Sequence, residues 1–199
     1  MHHTTLHSRF NRIMALVVAA IAILLVATAA SNGAGSAWMY PAAGLALLWA
    51  WTALWRPGIR IDDDGVDIVN VTHTAHVPWE ALIGVTTKYA LTLVTPRGRV
   101  AAWSAPAPGA LRAAVAGRRP DNRELRATGG APRPGDLAGT ESGDAALLIR
   151  EEWERRSEAG LIELGVADET AVTRRPHVLE LSGMVLLAIL AVVALIAGW

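Results

Sequence analysis

The chain has 199 residues, 52% of them apolar, a mean hydropathy of +0.32, and 18 basic against 18 acidic side chains. That is too apolar for an ordinary soluble domain, and the balanced charge supplies no global field to attract nucleic acid. The absence of cysteine excludes disulfides, thiolate zinc sites and cysteine nucleophiles together.

Residues 1–12, with Arg9 and Arg12, read as a cytoplasmic amino-terminal segment. Residues 13–30, "IMALVVAAIAILLVATAA", carry no charge and as a helix reach roughly 27 Å, close to the thickness of a bilayer's hydrocarbon core. A loop at 31–37 leads to a second uncharged span, 38–55, edged by Trp38, Tyr40, Trp51 and Trp55, the residue types expected at headgroup level. It ends at Arg56-Pro57-Gly58, where a charge and helix breakers arrive together.

The first span has a second reading as a cleaved signal peptide, with Arg9 and Arg12 as its basic region and Ala27-Thr28-Ala29 as its cleavage site. The length of the apolar run and the span that follows at once favour a retained hairpin.

Residues 58–104 read as about six short strands. Ile59 and Ile61 alternate, "DDDG" turns, and Val66 and Ile68 alternate again; Asp-Gly between alternating runs is a hairpin signal. "AHVPW", "IGVTTKY", "ALTLVT" and "RVAAWSA" supply the rest, and this spacing suggests a small antiparallel barrel or sandwich.

Residues 105–143 are rich in Gly, Pro, Ala and Arg and lack aromatics. They read as a flexible basic linker, with room for a short helix near Ala110–Ala116. Order returns at 144–160, an amphipathic helix that Asp144 can cap and Gly160 ends. Leu148, Ile149 and Trp153 are expected on one face, with Glu151–Arg155 and Glu152–Arg156 paired at i,i+4. A connector, 161–180, precedes a third span at 181–199.

Arginine placement orients the spans. Arg9 and Arg12, Arg56 and Arg60, and Arg174 and Arg175 flank them on one side, and the 31–37 loop has no charge. The positive-inside rule puts the amino terminus and the central segment in the cytoplasm and the carboxyl terminus outside. The expected architecture is therefore an α+β membrane protein of three transmembrane helices, an amino-terminal hairpin plus a carboxyl-terminal helix, around a small antiparallel β-domain closed by one helix.

Few residues suggest chemistry. His73 and His76 are three apart, but on a strand they face opposite ways, so a shared metal is not expected. "DDDG" at 62–65 lacks the oxygen ligands that should follow in a calcium loop. No nucleophile triad, phosphate loop or dinucleotide fingerprint is present, and the spans hold no ionisable residue in their interiors, which argues against transport. Neither a cofactor nor catalysis is expected. Arg112, Arg118, Arg119, Arg123, Arg126 and Arg133 are candidate contacts to anionic lipid, at about 1 kcal/mol each near a surface; a solvated linker is the alternative.

The run "RPGIRIDDDGVDI", "HVPWEALIGV", "LTLVTPRGRVAAW" resembles the bacterial pleckstrin-homology (PH) domain membrane proteins of actinobacteria, the group related to the low-molecular-weight protein antigen family. Gly65, Pro78, Trp79, Gly98 and Trp103 carry the likeness. The resemblance implies a bent antiparallel barrel of seven strands closed by a carboxyl-terminal helix, which would set Leu148, Ile149 and Trp153 in the barrel end. The acidic hairpin departs from phosphoinositide-binding relatives, so that ligand is not carried over. The expected function is non-catalytic: a multi-pass inner (plasma) membrane protein presenting its cytoplasmic domain to a protein partner or a second copy, with no nucleic-acid partner. The alternative is a lipid or envelope-stress sensor reading anionic lipid through linker and barrel.

Overall fold

A computed structural model describes residues 4–32, 37–119, 122 and 134–197. The chain divides into two units, one comprising Met1–Ser8 with Gly58–Arg175, the other Arg9–Pro57 with Pro176–Trp199.

In the first unit, strands β1 (Thr4–Leu6), β2 (Gly58–Ile61), β3 (Gly65–Val69), β4 (His73–Pro78) and β8 (Thr173–Pro176) form a five-stranded sheet in the order β1-β2-β3-β4-β8. Strands β5 (Gly84–Thr86), β6 (Ala90–Thr95) and β7 (Gly98–Pro106) form a second sheet in that order. The hairpin read from alternation is present: Ile59 opposes Ile68 and Ile61 opposes Val66, and all four are buried. Gly65 pairs with Pro78 so closely that a Cβ there would overlap the Val77 carbonyl oxygen, so the site admits only glycine.

The six strands expected at 58–104 are joined by two from outside that range. Residues 4–6, expected as plain amino-terminal tail, pair with β2, Thr4 opposite Ile61 and Leu6 opposite Ile59. β8 lies at the far edge, fully exposed, and its Arg174, Arg175 and Pro176 are the residue types that keep an edge strand from pairing further. The sheets do not close into a barrel among the described residues. β7 packs on β2 and β3, yet pairs only with β6. Asn70 occupies part of the seam: its side chain donates to the Ala101 carbonyl (2.9 Å) and accepts from the Trp103 N–H (2.8 Å). A side chain has taken the place of a ladder.

The core gathers Ile59, Val66, Ile68, Val77, Leu91 and Leu93 with Ile149 of the closing helix α4 (Glu141–Glu158). That helix starts three residues before Asp144. Thr140 is its cap, accepting from the Gly143 N–H at 3.0 Å, while Asp144 accepts from the Gly139 N–H. Its buried face is Ala145, Ala146 and Ile149, with Trp153 partly buried against the core. Leu148, expected inward, is 38% exposed, because the small alanines let the helix approach along a different stripe. Glu152 pairs with Arg156 as expected, but Arg155 also turns to Glu152, at i,i+3, rather than to Glu151.

The 105–143 region holds more fixed structure than its composition suggests. A helix α3 (Ala110–Ala116) follows β7. Asn122 is wholly buried; its amide donates to the Ala116 and Ala138 carbonyls and its oxygen accepts from the Ala138 N–H. Pro134–Asp136 forms a 3-10 turn anchored on the β5–β6 loop, where the Thr87 hydroxyl donates to Asp136 at 2.7 Å. A Cβ on Gly135 would overlap the Thr87 carbonyl oxygen.

The second unit is helical. It comprises α1 (Arg9–Asn32), α2 (Met39–Ala50) continued by a π-turn through Trp51–Trp55, and α5 (Val178–Ile196). Among the described residues two helices, α1 and α5, are long and apolar enough to cross a membrane. α2 packs against both others. Ala15, Ala22 and Ala29 of α1 recur every seven residues and are buried, as are Ala43 and Ala50 of α2. Gly44 faces Leu187, and Gly183 faces Leu48. Small residues that let helix backbones approach are the usual means of association where hydrophobicity itself does not drive it. Arg56 pairs with Glu180, and Arg12 lies 5.3 Å over the Trp55 ring.

Candidate functional site

Three places in the β-domain concentrate side chains. The first surrounds Trp79, which stands in the short 3-10 turn Trp79–Ala81 where Pro78 ends β4. Its ring is 2% exposed and its indole N–H donates to the Asp62 carbonyl at 3.1 Å. Over it, at 5.5 Å, lies the guanidinium of Arg156 from α4. Arg156 also donates to the Asp63 carbonyl (2.6 Å), the Asp63 carboxylate (2.7 Å) and Glu152 (2.6 Å). The "DDDG" turn thus serves as an acidic socket for the closing helix. Burial is the largest single influence on the Arg156 guanidinium and works against its charge, but the hydrogen bonds and charges of Asp63 and Glu152 together raise its pKa. The Arg155 hydrogen bond foremost, then Arg156, holds the Glu152 carboxyl below its ordinary range. The cluster couples helix, turn and tryptophan.

The second is a polar pocket on the five-stranded sheet, lined by Asp67, Thr74, His76, Thr173 and Arg175. His76 Nδ1 lies 2.7 Å from Asp67 Oδ1, its direct cross-strand neighbour. His73 Nδ1 lies instead 2.9 Å from its neighbour Thr72's hydroxyl. Among the described residues no group of three or more His, Cys, Asp or Glu could hold a metal ion.

The third is a groove of about 200 Å³ between strand β5 and helix α4, lined by Leu82, Ile83, Gly84, Val85, Arg150, Trp153 and Glu154. β5 is an edge strand. Arg150 donates to the Val85 carbonyl at 2.9 Å and reaches Asp136 at 3.5 Å, so one side chain caps part of this edge. Ile83 is 61% exposed beside it, and the Trp153 indole N–H is buried with no partner among the described residues. The site combines a strand edge, an apolar floor and one charge of each sign on its rim, the features that an extended segment adding to a sheet would use.

The sequence-predicted residues scatter among these places. Gly65, Pro78 and Trp79 meet at the first, and Trp153 lines the third. Gly98 opens β7, directly after the β6–β7 turn, with a φ of +137°. Trp103 is 60% exposed on β7, outside the core. Arg112, Arg118 and Arg119 are exposed on and just after α3, whereas Arg123, Arg126 and Arg133 lie outside the described residues. Arg150, Asn122 and Asp136 were not singled out by the sequence, and Arg156 was expected only as the i,i+4 partner of Glu152, not as a ligand of Asp63 and Trp79.

Two sheets, a tryptophan-bearing turn after β4 and a helix closing on the core are the arrangement against which relatives can be weighed. Residues 56–134 match the family model of the bacterial PH domain. No curated protein and no solved structure matches the chain. The matched range covers β2 to β7 and α3, and stops short of α4. A PH domain is typically a non-catalytic module for binding protein or lipid.

Proposed function

We propose that the chain is a multi-pass plasma-membrane protein with its PH-like domain and amino terminus in the cytoplasm and its carboxyl terminus outside. The domain presents a binding surface to a protein partner or to a second copy. The kinship to actinobacterial, antigen-like PH proteins belongs to this reading. Buried alanines recurring every seven residues along α1 and α2, the exposed apolar side chains on their other faces, and the uncharged interiors of all three spans support membrane insertion. β1 supports retention of the first span: cleavage after Ala29 would remove Thr4–Leu6, the strand that pairs with β2. The pairing of β1 with β2 supports placing the amino terminus and the domain on the same side of the membrane.

The observation that carries the binding role is the β5–α4 groove, with its edge strand, exposed Ile83 and unpartnered Trp153 N–H. A photo-crosslinking residue placed at Ile83 in native membranes should yield a discrete protein adduct, a second copy or one partner, that the same probe at Glu158 does not give. Equal labelling at both positions, or lipid adducts alone, would speak against it. The second reading, contact with anionic lipid, is favoured by the surface of α3.

A further inference from the structure

Helix α3 buries little of itself. Leu111 is 80% exposed and Val115, one turn on, is 60% exposed, with Arg112, Arg118 and Arg119 exposed alongside. The lead into this helix is tied to the β5–β6 loop, where the Ala107 N–H donates to the Tyr89 carbonyl at 2.8 Å. Tyr89 itself is 78% exposed, and Lys88, the only lysine of the chain, sits 5.0 Å over its ring. The loop is firmly held from below by the Thr87–Asp136 hydrogen bond, and the far end of α3 by Asn122 on the Ala116 carbonyl. Two fixed elements therefore present a tyrosine, a leucine and a valine together with basic side chains.

An exposed apolar stripe in water is unfavourable unless something covers it, and an aromatic with apolar and basic neighbours is the composition of a surface that lies in a headgroup layer. The sequence supplies a reason for that occupant. Strands β1, β2 and β8 are each joined to a helix of the apolar unit by only one or two residues, so the domain is tethered beside whatever those helices cross. Among the described residues, Asp136, which holds the loop from below, is itself engaged by Thr87 and Arg150.

We propose that Lys88, Tyr89 and α3 form a peripheral contact site for an anionic bilayer surface, with Leu111, Val115 and Tyr89 entering the headgroup region and Lys88, Arg112 and Arg118 facing lipid phosphates. This inference rests on the membrane-spanning reading. A weak contact suffices, because tethering makes the binding intramolecular.

The natural chain has no cysteine, so V115C takes one environment-sensitive fluorophore in the full-length protein. Reconstitution into nanodiscs of phosphatidylcholine, with or without phosphatidylglycerol, should give blue-shifted emission quenched by spin-labelled lipid in the anionic discs. The shift should be weaker in neutral discs, fall as salt is raised, and be lost in K88E/R112E/R118E. A label on E158C, at the exposed end of α4, should stay water-like throughout. If the V115C label resembles the E158C label in anionic discs, the proposal is overturned; it is equally overturned if the shift is indifferent to lipid charge and to the charge reversal. Failure of the chain to enter nanodiscs at all would instead strike the membrane-spanning reading.

Discussion

Arg156 lies 5.5 Å over the ring of Trp79 while holding the backbone and carboxylate of Asp63. One side chain of the closing helix thus reaches the tryptophan of the 3-10 turn after β4 and the acidic hairpin that the sequence offered only as a bend. The stability of the domain should depend on that junction more than on any surface ion pair.

Trp79→Ala removes a ring that is 2% exposed and should cost about 3–5 kcal/mol. Urea unfolding of the full-length protein in detergent, followed by the remaining tryptophans, would measure it. A loss below about 1 kcal/mol would mean the cavity collapses or the ring is not held as described.

Arg156→Met keeps the packing volume but leaves Asp63 and Glu152 without their shared donor. Asp63 is half exposed, so the cost should be about 1–3 kcal/mol, and Asp63→Asn should cost less. Arg156→Lys cannot serve both partners and stack on the ring at once, so it should recover only part of the loss.

Acid should loosen the same junction. The Glu152 carboxyl is held below its ordinary range by Arg155 first and Arg156 next. A carboxyl depressed in the folded state adds stability that is present above its unfolded pKa and lost as pH falls through the folded one. Melting temperature should therefore drop below about pH 4, the ordinary glutamate range, and Glu152→Gln should flatten that part of the profile.

His76→Ala should matter little. His76 and Asp67 are both partly exposed, at 33% and 25%, and such pairs contribute roughly 0–1 kcal/mol. A larger thermal shift would assign the polar pocket beside Thr173 and Arg175 a role in holding β8.

What could be read from the sequence was what has a period. Ile59, Ile61, Val66 and Ile68 announce a hairpin because side chains alternate across a strand, and the uncharged runs announce helices by length. β1 and β8 escaped because three or four residues, "TTL" and "TRRP", carry no usable period; their partners lie more than fifty residues away. Asn122, and the reach of Arg156 to Asp63 and Trp79, escaped for a different reason: a polar side chain reads as solvent-facing until its partners are known. The cap moved from Asp144 to Thr140 because both residues fit, and only the docking of Gly143 against Leu137 decides between them.

Sidedness is the central claim. Single cysteines at Thr4, Arg97 and Ala197, introduced into the cysteine-free chain, can be probed in whole cells with a membrane-impermeant maleimide; Arg97 is exposed in the β6–β7 turn. Ala197→Cys should be labelled in intact cells, whereas Thr4→Cys and Arg97→Cys should be labelled only after permeabilisation. Labelling of Arg97→Cys from outside, or release of the protein from membranes by alkaline carbonate, would contradict it.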